Sequence, residues 1–111
     1  MTITADIPVD QLRSRFRGAI ITPQDDSYEA AAPVWNGSIR RRPAVIARCT
    51  GAADVLAAIE FGRRHDLLTA VRGGGHNIAG NATCDGGLVI DLSGLHSVRV
   101  DPARRRAYVD P

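Results

Sequence analysis

The segment Val71-Arg72-Gly73-Gly74-Gly75-His76-Asn77-Ile78-Ala79-Gly80 constrains this chain more than any other. Residues 72–80 hold four glycines in nine positions. Glycine has no Cβ, so consecutive backbone N–H groups can converge on an anion and the main chain can come close to a ligand. The pattern predicts a phosphate cradle, and its alternative is a wide glycine turn that only joins two strands. The spacing is not that of a Rossmann dinucleotide loop, because the glycines lead through a polar stretch with Gly86-Gly87 into Leu88-Val89-Ile90 and not directly into a helix. It is not a Walker loop either, since no lysine follows.

The flanks decide where that loop sits. Ala44-Val45-Ile46-Ala47-Arg48 is a short apolar run that predicts a strand, and Thr50 is placed to cap a helix over residues 52–65. Ala52, Val55, Leu56 and Ile59 form the expected sheet-facing stripe of that helix, with Asp54, Glu60, Arg63 and Arg64 left to water. Asp66-Leu67 turns the chain into Leu68-Thr69-Ala70-Val71, which completes a βαβ unit with parallel strands. Further strands are expected at Leu88-Val89-Ile90-Asp91-Leu92, over residues 95–100, and at Ala107-Tyr108-Val109, the last two joined by a turn at residues 102–105. Residues 1–42 read as a helical extension. Asp10 caps a short helix with Leu12 and Phe16 on one face and Gly18 at its end. A second helix spans residues 26–35, with Tyr28, Ala31, Ala32 and Trp35 on its apolar side and Pro33 as a weak point. Residues 43–111 form the second unit.

At 111 residues and 44% hydrophobic, the chain supports one modest core. All 14 basic residues are arginines, balanced by 12 acidic ones, and the clusters Arg40-Arg41-Arg42 and Arg104-Arg105-Arg106 lack interleaved aromatics. That argues against a nucleic-acid partner and for solvated turns. No secretory pattern and no apolar run of membrane-spanning length is present, so a cytoplasmic protein with no membrane partner is expected, with Cys49 and Cys84 as free thiols. His65 and His96 fit no metal-ligand spacing. Asp91 reads as a turn residue or a hydrogen-bond acceptor behind the loop, the turn being the simpler reading, and Trp35 and Tyr108 read as packing residues.

The residues from Val71 to Asn77, followed by Gly80, Asp85-Gly86-Gly87 and Val89-Ile90-Asp91-Leu92, resemble the FAD-binding domain of the p-cresol methylhydroxylase (vanillyl-alcohol oxidase) type. The likeness is to bacterial berberine-bridge-enzyme-like and hydroxynicotine-oxidase-like members. It extends through Trp35-Asn36, Arg42-Pro43-Ala44 and Asp54-Val55, and so covers nearly all of the chain from Tyr28 onward. The resemblance implies an α+β fold, the N-terminal subdomain of that FAD-binding domain, and an FAD-linked oxidoreductase that passes a hydride from an alcohol or amine carbon to flavin. It implies FAD contacts from Arg72, Gly73, Gly74, Gly75, His76, Asn77 and Gly80, with His76 joined covalently to the 8α-methyl of the isoalloxazine. A histidine lone pair attacks that carbon once the flavin is in an electrophilic tautomer, and Arg72 is expected to favour the neutral ring. The family's second, cysteinyl flavin link comes from a later segment, so Cys84 reads as a packed thiol. No catalytic base is expected in this segment. The flavin-binding and substrate segments of the family continue beyond the position of Pro111, so the chain is expected to be an N-terminal fragment that lacks most of the small-molecule substrate site. Dioxygen is implied as an electron acceptor. The alternative is a catalytically silent nucleotide-binding or interaction remnant whose open sheet edge at residues 107–109 pairs with another chain.

Overall fold

Leu88-Val89-Ile90 is apolar at every position because the strand it forms is covered on both faces. In a computed structural model, which describes residues 7–77 and 79–111, this strand lies inside a four-stranded sheet. In chain order the elements are α1 (Val9–Arg13), β1 (Ala19–Ile21), α2 (Tyr28–Ala31), β2 (Val45–Arg48), α3 (Ala52–Arg64), β3 (Thr69–Arg72), β4 (Leu88–Asp91), β5 (Val98–Asp101) and β6 (Arg106–Val109). The sheet order is β1-β2-β4-β3, with β1 antiparallel to β2 and both β2 and β3 parallel to β4. β5 and β6 form a separate antiparallel pair. The α+β class is as expected, with one refinement: the two strands of the βαβ unit are not neighbours, because β4 inserts between them.

Side-chain alternation along the strands divides the core into two layers. Val45 and Ala47 of β2 and Leu88 and Ile90 of β4 pack with Leu12, Ala58 and Phe61, on the side covered by α1 and α3. Ile46 and Val89 point the other way, to Ile21, Tyr28, Ala31, Ala32, Ala70 and Cys84. Tyr28 is fully buried and donates its hydroxyl to the Pro43 carbonyl at 2.7 Å, which satisfies the one polar atom it brings into the core. Both cysteines are buried free thiols. Burial, with Asp54 and Asp91 nearby, raises the Cys49 pKa to about 11.

Several expectations are corrected. α3 presents Ala58, Phe61 and Gly62 to the sheet, while Ala52, Leu56 and Ile59 are exposed and Val55 is half-buried. Close approach selects this face: a Cβ at Gly62 would lie 2.9 Å from Thr69 Oγ1 and 3.3 Å from Leu88 Cδ2. Asp54, expected in water, is buried. Thr50 does not cap the helix by its side chain but donates to Asp54, and Gly51 holds the N-cap position. α2 is a single turn that ends before Pro33, whose ring and missing N–H cannot continue a helix. Pro8, not Asp10, precedes α1, and Phe16 lies beyond it. The extension is not purely helical, because β1 joins the main sheet at an edge.

Candidate functional site

β2, β3 and β4 run parallel and each ends in a charged residue. The register sets Arg48 and Arg72 on either side of Asp91, at the carboxyl edge of the sheet. Ligands in open parallel sheets bind beyond this edge. Arg72 donates from Nη2 to Asp91 Oδ2 at 3.0 Å with both side chains buried, and half-exposed Arg48 donates from Nε to the same oxygen at 3.3 Å. The Ser93 backbone N–H donates to Asp91 Oδ1 at 2.9 Å. Burial alone would raise the Asp91 pKa, but the Ser93 and Arg72 donors together bring it below the ordinary carboxylate value. Asp91 is therefore a buried ion-pair centre, not a turn residue.

Directly after Arg72 the chain enters the glycine loop, part of the connection over residues 73–87 that carries β3 into its parallel neighbour β4. Gly75 has φ of +74° and Gly80 φ of +82°, in the left-handed region that side chains disfavour. A Cβ at Gly80 would also press on the Ile39 side chain at 3.0 Å. The Gly80 carbonyl accepts from Arg41 Nη1 at 2.7 Å, its N–H donates to the Asn77 carbonyl at 3.2 Å, and Asn77 Oδ1 accepts from the Asn81 N–H at 3.2 Å. These bonds close the far side of the loop. On the near side, the backbone N–H groups of residues 73–77 donate to no acceptor among the described residues, and Gly74, His76 and Asn77 are exposed. The His76 ring lies over Gly74, where a Cβ would come within 2.9 Å of Nδ1.

Of the sequence-derived candidates, Gly73, Gly74, Gly75, His76 and Asn77 follow one another on this side of the loop, with Gly74, His76 and Asn77 exposed, Gly73 half-buried and Gly75 buried. Gly80 closes the loop behind them. Arg72 differs: besides Asp91, its guanidinium meets the carbonyls of Ala32 at 3.3 Å and Pro33 at 3.4 Å, so its charge is turned inward and not toward His76. His65 packs on Phe61 with ring centroids 4.7 Å apart, and His96 is exposed. Among the described residues no His, Cys, Asp or Glu cluster is arranged to hold a metal ion, and no helix is long and apolar enough to cross a membrane.

Two participants were passed over in the sequence reading, which weighed Asp91 as an acceptor behind the loop but preferred a turn, and took Trp35 for packing. Asp91 had a signal, since three strands of one parallel set each end in a charge, two positive and one negative. Trp35 had none. Expected to pack, it is 69% exposed, donates its backbone N–H to the Gly75 carbonyl at 2.9 Å and sets its ring edge-on to His76, centroids 6.1 Å apart at 74°.

The family model described as FAD binding domain matches residues 43–111. The chain is 41% identical over 94 residues to (R)-6-hydroxynicotine oxidase of Paenarthrobacter nicotinovorans, covering 85% of this chain and 20% of that protein. The crystal structure of 6-hydroxy-D-nicotine oxidase from Arthrobacter nicotinovorans matches with a TM-score of 0.81 and 40% identity, over 85% of this chain and 21% of that one. BBE-like 1 of Physcomitrella patens shares the fold, with a TM-score of 0.80 at 24% identity, over 91% of this chain and 22% of that one. The chain thus spans about a fifth of the length of the relatives it matches.

Proposed function

Because the chain belongs to the FAD binding domain family, we propose that it supplies the pyrophosphate cradle and the flavin anchor of an FAD-dependent oxidoreductase. The observation that carries this reading is the set of backbone N–H groups at residues 73–77, unengaged among the described residues and grouped with an exposed imidazole at the carboxyl edge of a parallel sheet. The site fits the group. Unengaged N–H donors on consecutive residues of a glycine loop match a doubly charged pyrophosphate, and the missing Cβ of Gly74, which would come within 2.9 Å of Nδ1, leaves the His76 ring its place over the loop.

FAD, when bound, supplies the hydride acceptor for oxidation of an alcohol or amine carbon, with dioxygen as the electron acceptor of an oxidase. The chain's own part is to bind and orient. Gly73, Gly74, Gly75 and Asn77 hold the phosphates through the main chain, Gly80 fixes the loop's return, and Arg72 supports the loop from below through Asp91. His76 would be the anchor, joined through an imidazole nitrogen to the 8α-methyl carbon. Attachment would remove one methyl C–H and the imidazole N–H, with dioxygen taking up the two electrons and two protons as hydrogen peroxide. The hydroxynicotine oxidases among the relatives favour a small cyclic amine as the substrate class.

Acid precipitation of the full chain after incubation with FAD tests the anchor. Flavin is expected to stay with the wild-type pellet and to leave the His76→Ala pellet while that variant still binds FAD reversibly. A wild-type pellet free of flavin would refute covalent attachment.

A further inference from the structure

An exposed tryptophan beside an exposed histidine calls for an explanation, because burial does not account for either. Trp35 follows α2 on a segment held from two directions. Arg72, fixed by Asp91, donates to the carbonyls of Ala32 and Pro33. The Trp35 backbone N–H donates to the carbonyl of Gly75, the residue just before His76. The same buried guanidinium therefore sits at the base of the loop and of the segment that carries the indole. Gly75 holds φ at +74°, a conformation that side chains disfavour, and Val34 packs close by, its Cα 3.7 Å from where a Gly75 Cβ would stand.

The consequence falls on the His76 side chain. It has Gly74 beneath it and the Trp35 ring at its edge. An imidazole at a loop tip otherwise exchanges freely between rotamers, and an edge-to-face aromatic contact biases that exchange toward one of them. With 69% of its surface exposed, the indole adds little to the core.

We propose that Trp35 is a positioning residue that holds the His76 imidazole in the orientation required for flavin attachment. This rests on the reading of His76 as the anchor. Trp35 acts through His76 and takes no part in bond formation.

The test uses the full chain produced under riboflavin limitation, then mixed with FAD in air. The rate of covalent incorporation is read as in-gel flavin fluorescence of acid-denatured protein, beside reversible FAD affinity at early times and the thermal midpoint. Trp35→Ala is expected to slow incorporation about tenfold with FAD affinity changed less than about threefold, as misorientation of a reacting group does. Trp35→Phe, which keeps an aromatic edge, is expected to remain within about threefold of wild type. His76→Ala is the reference and is expected to show no incorporation. Wild-type rates in Trp35→Ala, or a slowing matched by an equal loss of FAD affinity or of folded protein, would overturn the role of Trp35 while leaving the anchor intact. Covalent flavin persisting in His76→Ala would remove the anchor and this proposal together.

Discussion

The start of α3 and the carboxyl edge of the sheet each bury an aspartate, and the two are satisfied by opposite means. Asp54 accepts from the backbone N–H groups of Arg17 at 2.8 Å, Gly18 at 3.0 Å and Thr50 at 2.9 Å, and from the Thr50 hydroxyl at 2.7 Å. Among the described residues it has only neutral donors, in the first turn of a helix whose dipole favours a negative charge. Asp91 accepts from two guanidinium groups and one backbone N–H. The first arrangement pins the chain after α1 to α3 by local dipoles. The second balances a buried cation, and so couples the sheet edge to the loop above it and to residues 32–35. Dipoles suffice where the task is to join two elements; a charge pair stands where strand ends, loop and flanking segment have to be fixed relative to one another.

The largest expected effect comes from breaking the charge pair on one side. Asp91→Ala leaves Arg72 buried without its counter-ion and is expected to lower stability by about 3–5 kcal/mol in denaturant unfolding of the full chain. A loss under about 1 kcal/mol would mean that Arg72 reaches water and that the contrast with Asp54 is false. The double change Arg72→Met with Asp91→Leu is expected to return most of that stability while speeding hydrogen exchange at the Trp35 N–H, because stability and positioning then come apart.

Asp54→Ala strands donors and not a charge, so its loss is expected near 2 kcal/mol. Asp54→Asn, whose amide oxygen still accepts, should recover more than half of it. Asp91→Asn should recover less of the loss at its own site, since a neutral amide does not balance Arg72. Equal recovery at the two sites would erase the distinction.

Acid provides a third comparison. Burial works to raise both carboxyl pKa values, but the Thr50 hydroxyl with the Arg17, Thr50 and Gly18 N–H groups lowers Asp54, and Ser93 with Arg72 lowers Asp91, both below the ordinary 3.8. As pH falls the unfolded chain takes up these protons first, so the stabilisation is complete above the ordinary value and is lost as pH drops through the lowered folded values. The slope of stability against pH below that value is expected to flatten in the Asp54→Asn, Asp91→Asn double variant. An unchanged slope would place the acid sensitivity elsewhere. The smallest effect is expected from Arg48→Ala. Its partner keeps Arg72 and its own side chain is 43% exposed, so the loss should stay under about 1 kcal/mol.

How far the sequence could be read varied by element. The runs that became β2 and β4 were legible because continuous apolar residues leave few alternatives to a strand covered on both faces. The extent of α3 was legible but its orientation was not. Hydrophobicity favoured Leu56 and Ile59, while the buried face was chosen by the small residues Ala58 and Gly62 that let the helix approach Leu88. β1 was missed because a strand of Ala19-Ile20-Ile21 is too short to show a period. In the candidate site, the glycine loop and His76 stood out by composition and likeness, whereas Trp35 did not, since nothing local separates an exposed indole from a packed one.

By itself the sequence determined what depends on near neighbours along the chain: the strands β2, β3 and β4, the extent of α3, and a loop whose glycines leave consecutive backbone donors free to meet an anion. Tertiary structure decided what depends on parallel register and on the crossing of distant segments. It set Arg48 and Arg72 beside Asp91, turned the Arg72 charge away from His76, and brought Trp35 from another part of the chain to the edge of the imidazole. Local pattern fixes backbone geometry over a few residues, but the partner of a charge or a ring is selected only when the sheet aligns strands that are far apart in sequence.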